Sequence, residues 1–454
     1  MNNPKKRSRQ AAITIAVFFL LTLGGQHAVA IWPFSKTVPA DTNQGTKSPT
    51  YTDLKNLPKE KSTINMDTIR KQADDGIPGA QVALGNLYYT GQSELVSRNH
   101  KTAVKWFRKA ADQGHPLAMF NLGVCLELGH GIDKNPAQAR DWYLKAADKG
   151  VLAAQLNIAI DSEERKDYAK AFKYFKLAAD QNPASPHLGA VRKTAIYLQE
   201  GNGCTKDFAA AVKYLQLGSE RGDTRAQIRL ADCYQRGTGV ACDHKEMLRW
   251  LFIAAEGNDP EAKAKIAYCY EQGIGVPPDN RLAFLWFRKA AESGYATAQV
   301  ALGNMYITGS GVELDLAKGA DWHRKAAEQH DAAGQFSLGA DCHLGRGVRK
   351  DPTAALKWFT LAAAQGFAPA QYNLGTFYED GIAVPQDSAQ AVEWYRRAAR
   401  QNDPQALAAL GQALLTGKGL DKDREAAKRC LQQAASLGEP DAKALLQAEF
   451  PDTK

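Results

Sequence analysis

The order of apolar and polar residues recurs along this chain with a period of 36 residues. From Ala226 the sequence runs through an apolar helical pattern, a Gly-x-Gly-Val turn and a second apolar pattern that ends in Ala-Ala. The same order returns from Ala262 and again from Ala298. Repetition with a period of about 20–50 residues is typical of solenoid proteins. The first position of the unit falls at 80, 118, 154, 190, 226, 262, 298, 334, 370 and 406.

Within each unit, the pattern predicts two helices. Counting the first residue as position 0, positions 0, 4, 7 and 8 are apolar or small, which is the spacing of one helical face. Position 11 is Gly in nine copies, as expected of a helix C-terminus, and Asp or Asn follows six residues later as an N-cap. Position 5 is Gly or Ala in every copy, so we expect another helix to approach closely there. The predicted fold is all-α, an α/α solenoid of about ten 36-residue helix-turn-helix repeats.

The second helix of the unit carries Trp at position 24. Seven of the eight Trp residues occupy this position, and Ala-Ala follows four residues later in most copies. This spacing favours a packed helix face over a ligand platform, so we expect the indole rings to lie in the core. The seven residues are Trp106, Trp142, Trp250, Trp286, Trp322, Trp358 and Trp394.

The two helical motifs resemble those of the Sel-one-like repeat family, a branch of the tetratricopeptide superfamily. The matching patterns are A-x-x-x-L-G-x-x-Y-x-x-G-x-G-V and A-x-x-W-[FY]-x-K-A-A-x-x-G, the second of which runs from Ala283 to Gly294. About ten copies cover roughly residues 65–450. The resemblance implies antiparallel helix pairs stacked into a superhelix. It also implies a scaffold for protein interactions and not a catalyst.

The N-terminal residues differ from the repeats. Residues 1–30 have a basic start, an apolar run and Ala-Val-Ala at 28–30, which is the order of a secretory signal peptide. An uncleaved inner-membrane anchor is the alternative, although the apolar run is shorter than the roughly 20 residues that span a bilayer. Residues 31–64 are predicted to be a flexible linker, and residues 65–454 the repeat array with capping half-repeats. With the family resemblance, the signal predicts an exported, periplasmic protein of a Gram-negative bacterium.

Charge argues against a dedicated nucleic-acid-binding protein. The formal net charge is +8, and it falls to +4 without residues 1–30, which hold four basic residues and no acidic one. Nucleic-acid-binding domains carry basic stripes with aromatic residues, and the sequence shows no such design. We therefore expect no nucleic-acid partner, and membrane contact only through the signal segment if it is uncleaved.

Motifs that carry catalysis or bind metals are missing from the sequence. There is no H-E-x-x-H, no phosphate-binding G-x-x-x-x-G-K-[ST] and no G-x-S-x-G. His323, His330, His343 and Cys342 form the densest group of potential metal ligands, but their spacing is not that of a known site. No catalytic residue, metal or cofactor is therefore predicted. A cell-wall or β-lactam hydrolase, the label that some relatives of the family carry, is one alternative function, and a purely structural oligomeric envelope protein is another.

Cysteine usage leaves one question open. Four of the seven Cys residues, Cys204, Cys233, Cys242 and Cys269, fall in repeats 4–6. Export would permit a disulfide among them. Four Cys residues allow three pairings, and the sequence does not choose between a pairing and free thiols.

Position 3 of the first helix supplies the candidate partner-binding residues. This position lies off the apolar face, and the resemblance implies that first helices line a groove. Similar side chains in consecutive repeats can hold an extended partner. An ordinary solvated face is the alternative, since Ala83, Ala301 and Ala409 interrupt the series. We predict an exported scaffold or adaptor that binds a protein or peptide partner in the bacterial cell envelope, with a basic ladder at Lys193, Arg229 and Lys265 and amides at Asn121, Asn157 and Asn373. Asp232 and Tyr268 lie near the ladder at position 6, so the predicted surface is mixed and not purely cationic.

Overall fold

The computed structural model describes residues 66–91 and 96–451. This part of the chain forms 22 helices and no β-strand, which confirms the predicted all-α solenoid. The signal peptide predicted at 1–30 and the linker predicted at 31–64 lie outside the described residues. Among the helices that are described, none combines the length and the apolar character that a bilayer-spanning segment requires.

Each repeat consists of a first helix, the A helix, and a second helix, the B helix. The chain divides into two compact units, the first ending at Asp243 and the second beginning at His244, between the two helices of the fifth repeat. In the first unit, the capping helix α1 (Met66–Asp74) precedes the A helices α2 (Pro78–Thr90), α4 (Pro116–Leu128), α6 (Leu152–Glu164), α8 (Leu188–Glu200) and α10 (Thr224–Arg236). Its B helices are α3 (His100–Asp112), α5 (Pro136–Asp148), α7 (Tyr168–Asp180) and α9 (Phe208–Glu220).

The second unit begins with a B helix and ends with a capping helix. Its B helices are α11 (His244–Glu256), α13 (Asn280–Glu292), α15 (Leu316–Glu328), α17 (Pro352–Ala364), α19 (Ser388–Ala399) and α21 (Arg424–Ser436). Its A helices are α12 (Pro260–Gln272), α14 (Ala296–Thr308), α16 (Ala332–Leu344), α18 (Ala368–Asp380) and α20 (Pro404–Thr416), and α22 (Pro440–Glu449) follows as the last helix described.

Helix ends follow the predicted signals. Nine A helices end at a position-11 Gly with φ between 65° and 75°, the left-handed conformation that Gly adopts without strain. The N-cap Asp279 accepts hydrogen bonds from the backbone N–H groups of Arg281 and Leu282. Equivalent caps begin eight of the other B helices, at Asn99, Asn135, Asp167, Asp207, Asp315, Asp351, Asp387 and Asp423.

The core of each repeat is built on position 25, one residue after the Trp. A methyl group added to Gly375 at position 5 would lie 2.5 Å from the ring of Tyr395, so this side chain explains the close approach predicted at position 5. The residue at this position is buried in every repeat, and it is Phe, Tyr or Leu in all repeats but one. Its occupants are Phe107, Tyr143, Phe175, Leu215, Leu251, Phe287, His323, Phe359, Tyr395 and Leu431.

The Trp residues lie at the margin of this core, which corrects the expectation that they form it. Trp250 is buried, but the other six are only partly buried. Trp286 contacts Phe252 of the preceding B helix in an edge-to-face arrangement, with the ring centroids 5.7 Å apart. Trp286 therefore joins two adjacent B helices, and the six partly buried indole rings leave part of their surface to solvent.

Buried glutamines at position 1 connect several of the repeats to their neighbours. The side-chain amide of Gln299, at position 1, donates to the carbonyl of Ala291 at 3.2 Å and accepts a hydrogen bond from Gln329 at 2.7 Å. Each buried amide thus satisfies a helix-end carbonyl of the preceding B helix. Gln81, Gln155, Gln227 and Gln371 donate to carbonyls in the same way.

All seven Cys residues lie in the described part of the chain, and none is in a disulfide there. Burial raises the pKa of the Cys269 thiol to about 11 and also raises the pKa of Cys204 and Cys233. The pairing considered for repeats 4–6 is therefore not formed, and these three thiols are held in the protonated, unreactive form.

Candidate partner-binding faces

In the first unit, two of the predicted position-3 residues are occupied by contacts within the protein. Asn121 is fully buried and donates a hydrogen bond to the Asn86 side chain at 2.9 Å, so its assignment to a partner-binding surface is wrong. The ammonium of Lys193 lies 2.7 Å and 2.9 Å from the two carboxylate oxygens of Glu163. Both residues therefore join neighbouring A helices.

The remaining candidates of the first unit are more accessible. Asn157 is partly buried, and Arg229 is exposed. Glu163 also accepts a hydrogen bond from the Tyr197 hydroxyl at 3.2 Å; burial and this carboxylate together raise the pKa of Tyr197. Acidic and basic side chains are thus interleaved on this face, and Lys193 and Arg229 do not form a purely cationic surface.

In the second unit, Lys265 and Asn373 lie on the A-helix surface. Lys265 is partly buried, and its ammonium is 3.9 Å from the Glu261 carboxylate one turn earlier. The side-chain amide of Asn373 is also partly buried and donates to the carbonyl of Pro369 at 2.9 Å. Whether either side chain contacts a partner stays a prediction.

The A helices of repeats 7–10 share an uncharged surface. Position 3 holds Ala, Ser or Asn, and position 6 holds Asn, Ala, Thr or Gln, so neither position is charged in these four repeats. Asn304 and Gln412 are exposed, whereas the other six are partly buried. We call this surface the neutral A face; it consists of Ala301, Asn304, Ser337, Ala340, Asn373, Thr376, Ala409 and Gln412.

The neutral A face continues into repeat 6 through Tyr268. This residue occupies position 6 of its repeat, and its side chain is 48% exposed. The residues predicted from the sequence to bind a partner lie at position 3, and Tyr268 was considered only as a neighbour of the basic ladder. The signal was present, because position 6 is polar or aromatic in several repeats and lies three residues from position 3 on the same side of the helix.

Two of the residues considered as metal ligands, His323 and His343, have other contacts in the structure. No group of three or more potential ligands is arranged to hold a metal ion within the described residues. Instead, buried His323 is paired with buried Asp341, with His323 Nδ1 2.6 Å from the carboxylate, while Arg346 lies 3.1 Å from the other carboxylate oxygen. His343 packs against the ring of Phe377, 5.0 Å between centroids. The sequence carried a signal for the pair, because each of the two replaces an apolar residue of the repeat pattern.

A second histidine cluster joins the first two repeats. The imidazoles of His100 and His130 stack with their centroids 4.7 Å apart, and the Tyr89 hydroxyl is 2.8 Å from His130 Nδ1. Arg98 Nε donates to His100 Nε2 at 3.0 Å. Burial lowers the pKa of both imidazoles, with the nearby Arg98 cation as a further cause, and burial raises the pKa of Tyr89 to about 12. The cluster is therefore held in its neutral form.

The outer surface of the B helices has a different character from the neutral A face. In the second unit, the six B helices carry fourteen Lys or Arg residues and seven Asp or Glu residues. The ammonium of Lys325 lies over the ring of Trp322, 3.7 Å from its centroid, as a cation–π contact. This basic surface with aromatic residues was not recognised from the sequence, because the net charge of the whole chain is small.

Ten consecutive segments match the family model of the Sel1 repeat. They cover residues 78–115, 116–151, 153–183, 189–223, 224–259, 260–295, 296–331, 332–367, 368–403 and 404–439. Among curated proteins, the DAP3-binding cell death enhancer 1 of Mus musculus is 36% identical over 158 residues. That match covers 32% of this chain and only 29% of the mouse protein.

Solved structures with the same repeat are also similar. A protective antigen of uropathogenic Escherichia coli strains, which displays an SLR fold, is 32% identical with a TM-score of 0.58. The match covers 85% of this chain and 82% of the antigen. A Sel1 repeat protein from Oxalobacter formigenes is 25% identical with a TM-score of 0.46, over 85% of this chain and 90% of that protein.

Proposed function

Because this chain belongs to the Sel1 repeat family, whose members are scaffolds for protein interactions, we propose that it binds an extended protein segment on the neutral A face. The observation that carries the proposal is the absence of charge at positions 3 and 6 through repeats 7–10, where the amide side chains of Asn304 and Gln412 are exposed. Repeats 1–3 are also uncharged at these two positions, but none of their side chains there is exposed. Small side chains allow a peptide backbone to approach closely. Amide and hydroxyl side chains match the donors and acceptors of that backbone.

The length of this face suits an extended segment. Neighbouring helices pack about 8–10 Å apart, so four consecutive A helices offer roughly 25–30 Å. An extended chain advances about 3.3 Å per residue, so eight or nine residues would span the face. Recognition of the main chain by Asn304 and Gln412 would tolerate different partner side chains, as an adaptor requires.

We propose further that the scaffold works in the bacterial cell envelope after export. Support comes from the basic, apolar and small-residue order of residues 1–30 and from similarity to a protective antigen of uropathogenic Escherichia coli. The mouse relative is named for binding another protein, which supports a partner-binding role for the repeats. We do not infer from this name that the present chain binds the same partner.

Site-specific photo-crosslinking in cells tests the proposed face. A benzoylphenylalanine side chain placed at Tyr268 or Asn304 should give covalent adducts with a protein. The same group at Arg281, on the exposed surface of a B helix, is the control and should not give those adducts. Equal labelling at all three positions, or adducts at Arg281 alone, would contradict the assignment. Turnover of nitrocefin by the purified chain would support the alternative hydrolase.

A further inference from the structure

In five repeats, a Lys or Arg side chain lies over the ring of the Trp residue three positions earlier. The cation occupies position 27 of the B helix, lies 3.7–4.4 Å from the ring centroid and is exposed to solvent. It covers the outward side of an indole that is only partly buried. The pairs are Trp106 with Lys109, Trp142 with Lys145, Trp286 with Lys289, Trp322 with Lys325 and Trp394 with Arg397.

Two Trp-bearing helices lack a cation at position 27. Helix α11 has the partly buried Ile253 there and its Trp250 is buried, whereas α17 combines a partly buried Trp with an exposed Leu. Trp358 is partly buried against the core, and Leu361 occupies position 27 with 42% of its surface exposed. No cation lies over Trp358 among the described residues. The only charged side chain of α17 is Lys357. An apolar spot of one Leu and one indole therefore lies between two B helices whose indole rings are covered by cations.

Two position-27 cations flank this spot. Lys325 lies on the preceding B helix, α15, and Arg397 on the following one, α19. Their neighbours Arg324 and Arg396 are paired with carboxylates of their own helices, Asp321 at 2.5 Å and Glu393 at 2.8 Å. Lys325 and Arg397 have no such ion pair in the described chain, so their charges remain available to an anion.

The spacing between the cations follows from helix packing. Neighbouring helices lie about 8–10 Å apart, so each cation is about that distance from Leu361. A peptide in the polyproline II conformation covers about 9 Å in three residues, and its side chains at every third position lie on one face. Acidic side chains three positions before and after an apolar one would therefore meet Lys325 and Arg397 while the apolar side chain contacts Leu361 and Trp358.

We propose that Trp358, Leu361, Lys325 and Arg397, the α17 outer patch, bind an extended protein segment in which acidic residues flank one apolar side chain. This site is separate from the neutral A face and does not depend on it. The apolar side chain supplies the anchor, and the flanking charges supply orientation and faster association. Binding here is weakened by salt, because the cations are exposed.

The size of the apolar spot favours a peptide over other anionic surfaces. Single-stranded nucleic acid stacks its bases on several aromatic faces, but the indoles of α15 and α19 are covered by Lys325 and Arg397. A membrane-binding surface needs an extended apolar face to enter the headgroup region, whereas this spot is confined to one helix. One side chain of a protein partner fits its extent.

Fluorescence anisotropy with the full chain tests the proposal. The probe is a fluorescein-labelled peptide with a central Leu and Glu three positions to each side, in a Gly-Ser background. It should bind saturably, and replacing its Leu by Ser should weaken binding about tenfold, the effect of losing one apolar anchor. The two experimental conditions are 50 mM and 500 mM salt. Both peptides should bind more weakly at the higher salt concentration.

Variants of the protein distinguish the contribution of the apolar anchor from that of the two cations. Leu361→Lys introduces the residue that other repeats carry and should leave the melting temperature unchanged, while removing the preference for the Leu peptide over the Ser peptide. The double variant Lys325→Gln/Arg397→Gln should lower affinity and reduce its salt dependence. The matched control is Lys109→Gln/Lys145→Gln, at the same position in the first unit, which should bind as wild type does.

Three results would overturn the proposal. The first is unchanged peptide preference in Leu361→Lys, and the second is an equal loss of affinity in the control variant. The third is Leu361-dependent binding to phosphatidylglycerol vesicles or to oligo-dT without binding to the peptide. That last result would assign the patch to a membrane or to nucleic acid instead.

Discussion

At the scale of single residues, two adjacent positions of the B helix have different roles. The sequence shows Trp at position 24 and an aromatic residue or Leu at position 25 in most repeats, and both fit an apolar helix face. Only the packing of the pair determines that position 25 meets the small residue of the A helix. Sequence periodicity identifies the face but not which of two neighbours points to its centre, and the Trp assignment was wrong for this reason.

Truncation of these two residues should therefore differ in cost. Phe287→Ala removes a buried ring and should lower the free energy of unfolding by about 3–5 kcal/mol. Trp286→Ala removes a ring that is only partly buried and should cost roughly half as much. Urea denaturation followed by circular dichroism measures both values. A larger loss for Trp286→Ala than for Phe287→Ala would show that the indole, and not position 25, holds the repeat together.

At the scale of helices, the starts and stops were predictable from the sequence, whereas the polar contacts between helices were not. Position-11 Gly and the Asp or Asn caps act through their own backbone neighbourhood, so their roles can be inferred locally. Asn121 and Lys193 were assigned to a partner-binding face, but they contact residues 35 and 30 positions earlier, on the preceding A helix. Such contacts depend on how repeats stack, which a pattern within one repeat does not contain.

The His323 and Asp341 pair connects α15 with α16 in the apolar core. Removing one partner leaves a buried polar group unpaired, so Asp341→Leu or His323→Phe alone should lower the free energy of unfolding by about 1–3 kcal/mol. The double variant restores the apolar pattern of the other repeats and should be close to wild type or more stable. A double-mutant cycle from denaturation curves measures this coupling. Additive losses in the double variant would show that the two side chains do not act as a pair.

The Tyr89, His100 and His130 cluster makes the contact between the first two repeats sensitive to acid. Because the folded state lowers the pKa of both imidazoles, it favours their neutral forms. The stability that this contributes is present above the ordinary imidazole pKa of about 6.5 and is lost as the pH falls below it.

Hydrogen exchange in α2, α3 and α4 tests this at pH 5.5 and pH 7.5, the two experimental conditions. After correction for intrinsic exchange rates, the free energy of local opening should be smaller at pH 5.5. His130→Ser introduces the residue that repeat 7 carries at the same position, Ser310, and it should reduce this difference. Helices α20 and α21 serve as an internal reference. Equal pH dependence in the variant and the wild type would remove His130 from the effect.

At the scale of the whole molecule, the number of repeats and the fold class were predictable because the same pattern recurs ten times in register. The division into two units at Asp243 was not predictable, since the repeat pattern continues through it unchanged. The distribution of charge is also a property of the assembled helices. A modest net charge conceals a basic B-helix surface and a neutral A face, and these become distinct only when like positions of successive repeats are brought together.

Export is a prediction about the chain as a whole. If residues 1–30 are removed by a signal peptidase, the mature protein begins with Ile31. N-terminal mass spectrometry of protein from the periplasmic fraction of a Gram-negative host should find this residue. Recovery of a chain that begins at Met1 from the soluble cytoplasm would contradict export, and the intact chain in the inner membrane would support the alternative of an uncleaved anchor.

The most direct test of the central claim is to purify a crosslinked partner and to measure its affinity for two matched variants of this chain. Asn304→Ala/Gln412→Ala alters the neutral A face, and Arg281→Gln/Arg288→Gln alters the outer surface of α13, in each case at exposed side chains. The scaffold account predicts that the first variant binds about tenfold or more weakly at an unchanged melting temperature, and that the second binds as wild type does. Full affinity of the first variant, with loss confined to the second, would contradict the assignment of partner binding to the neutral A face.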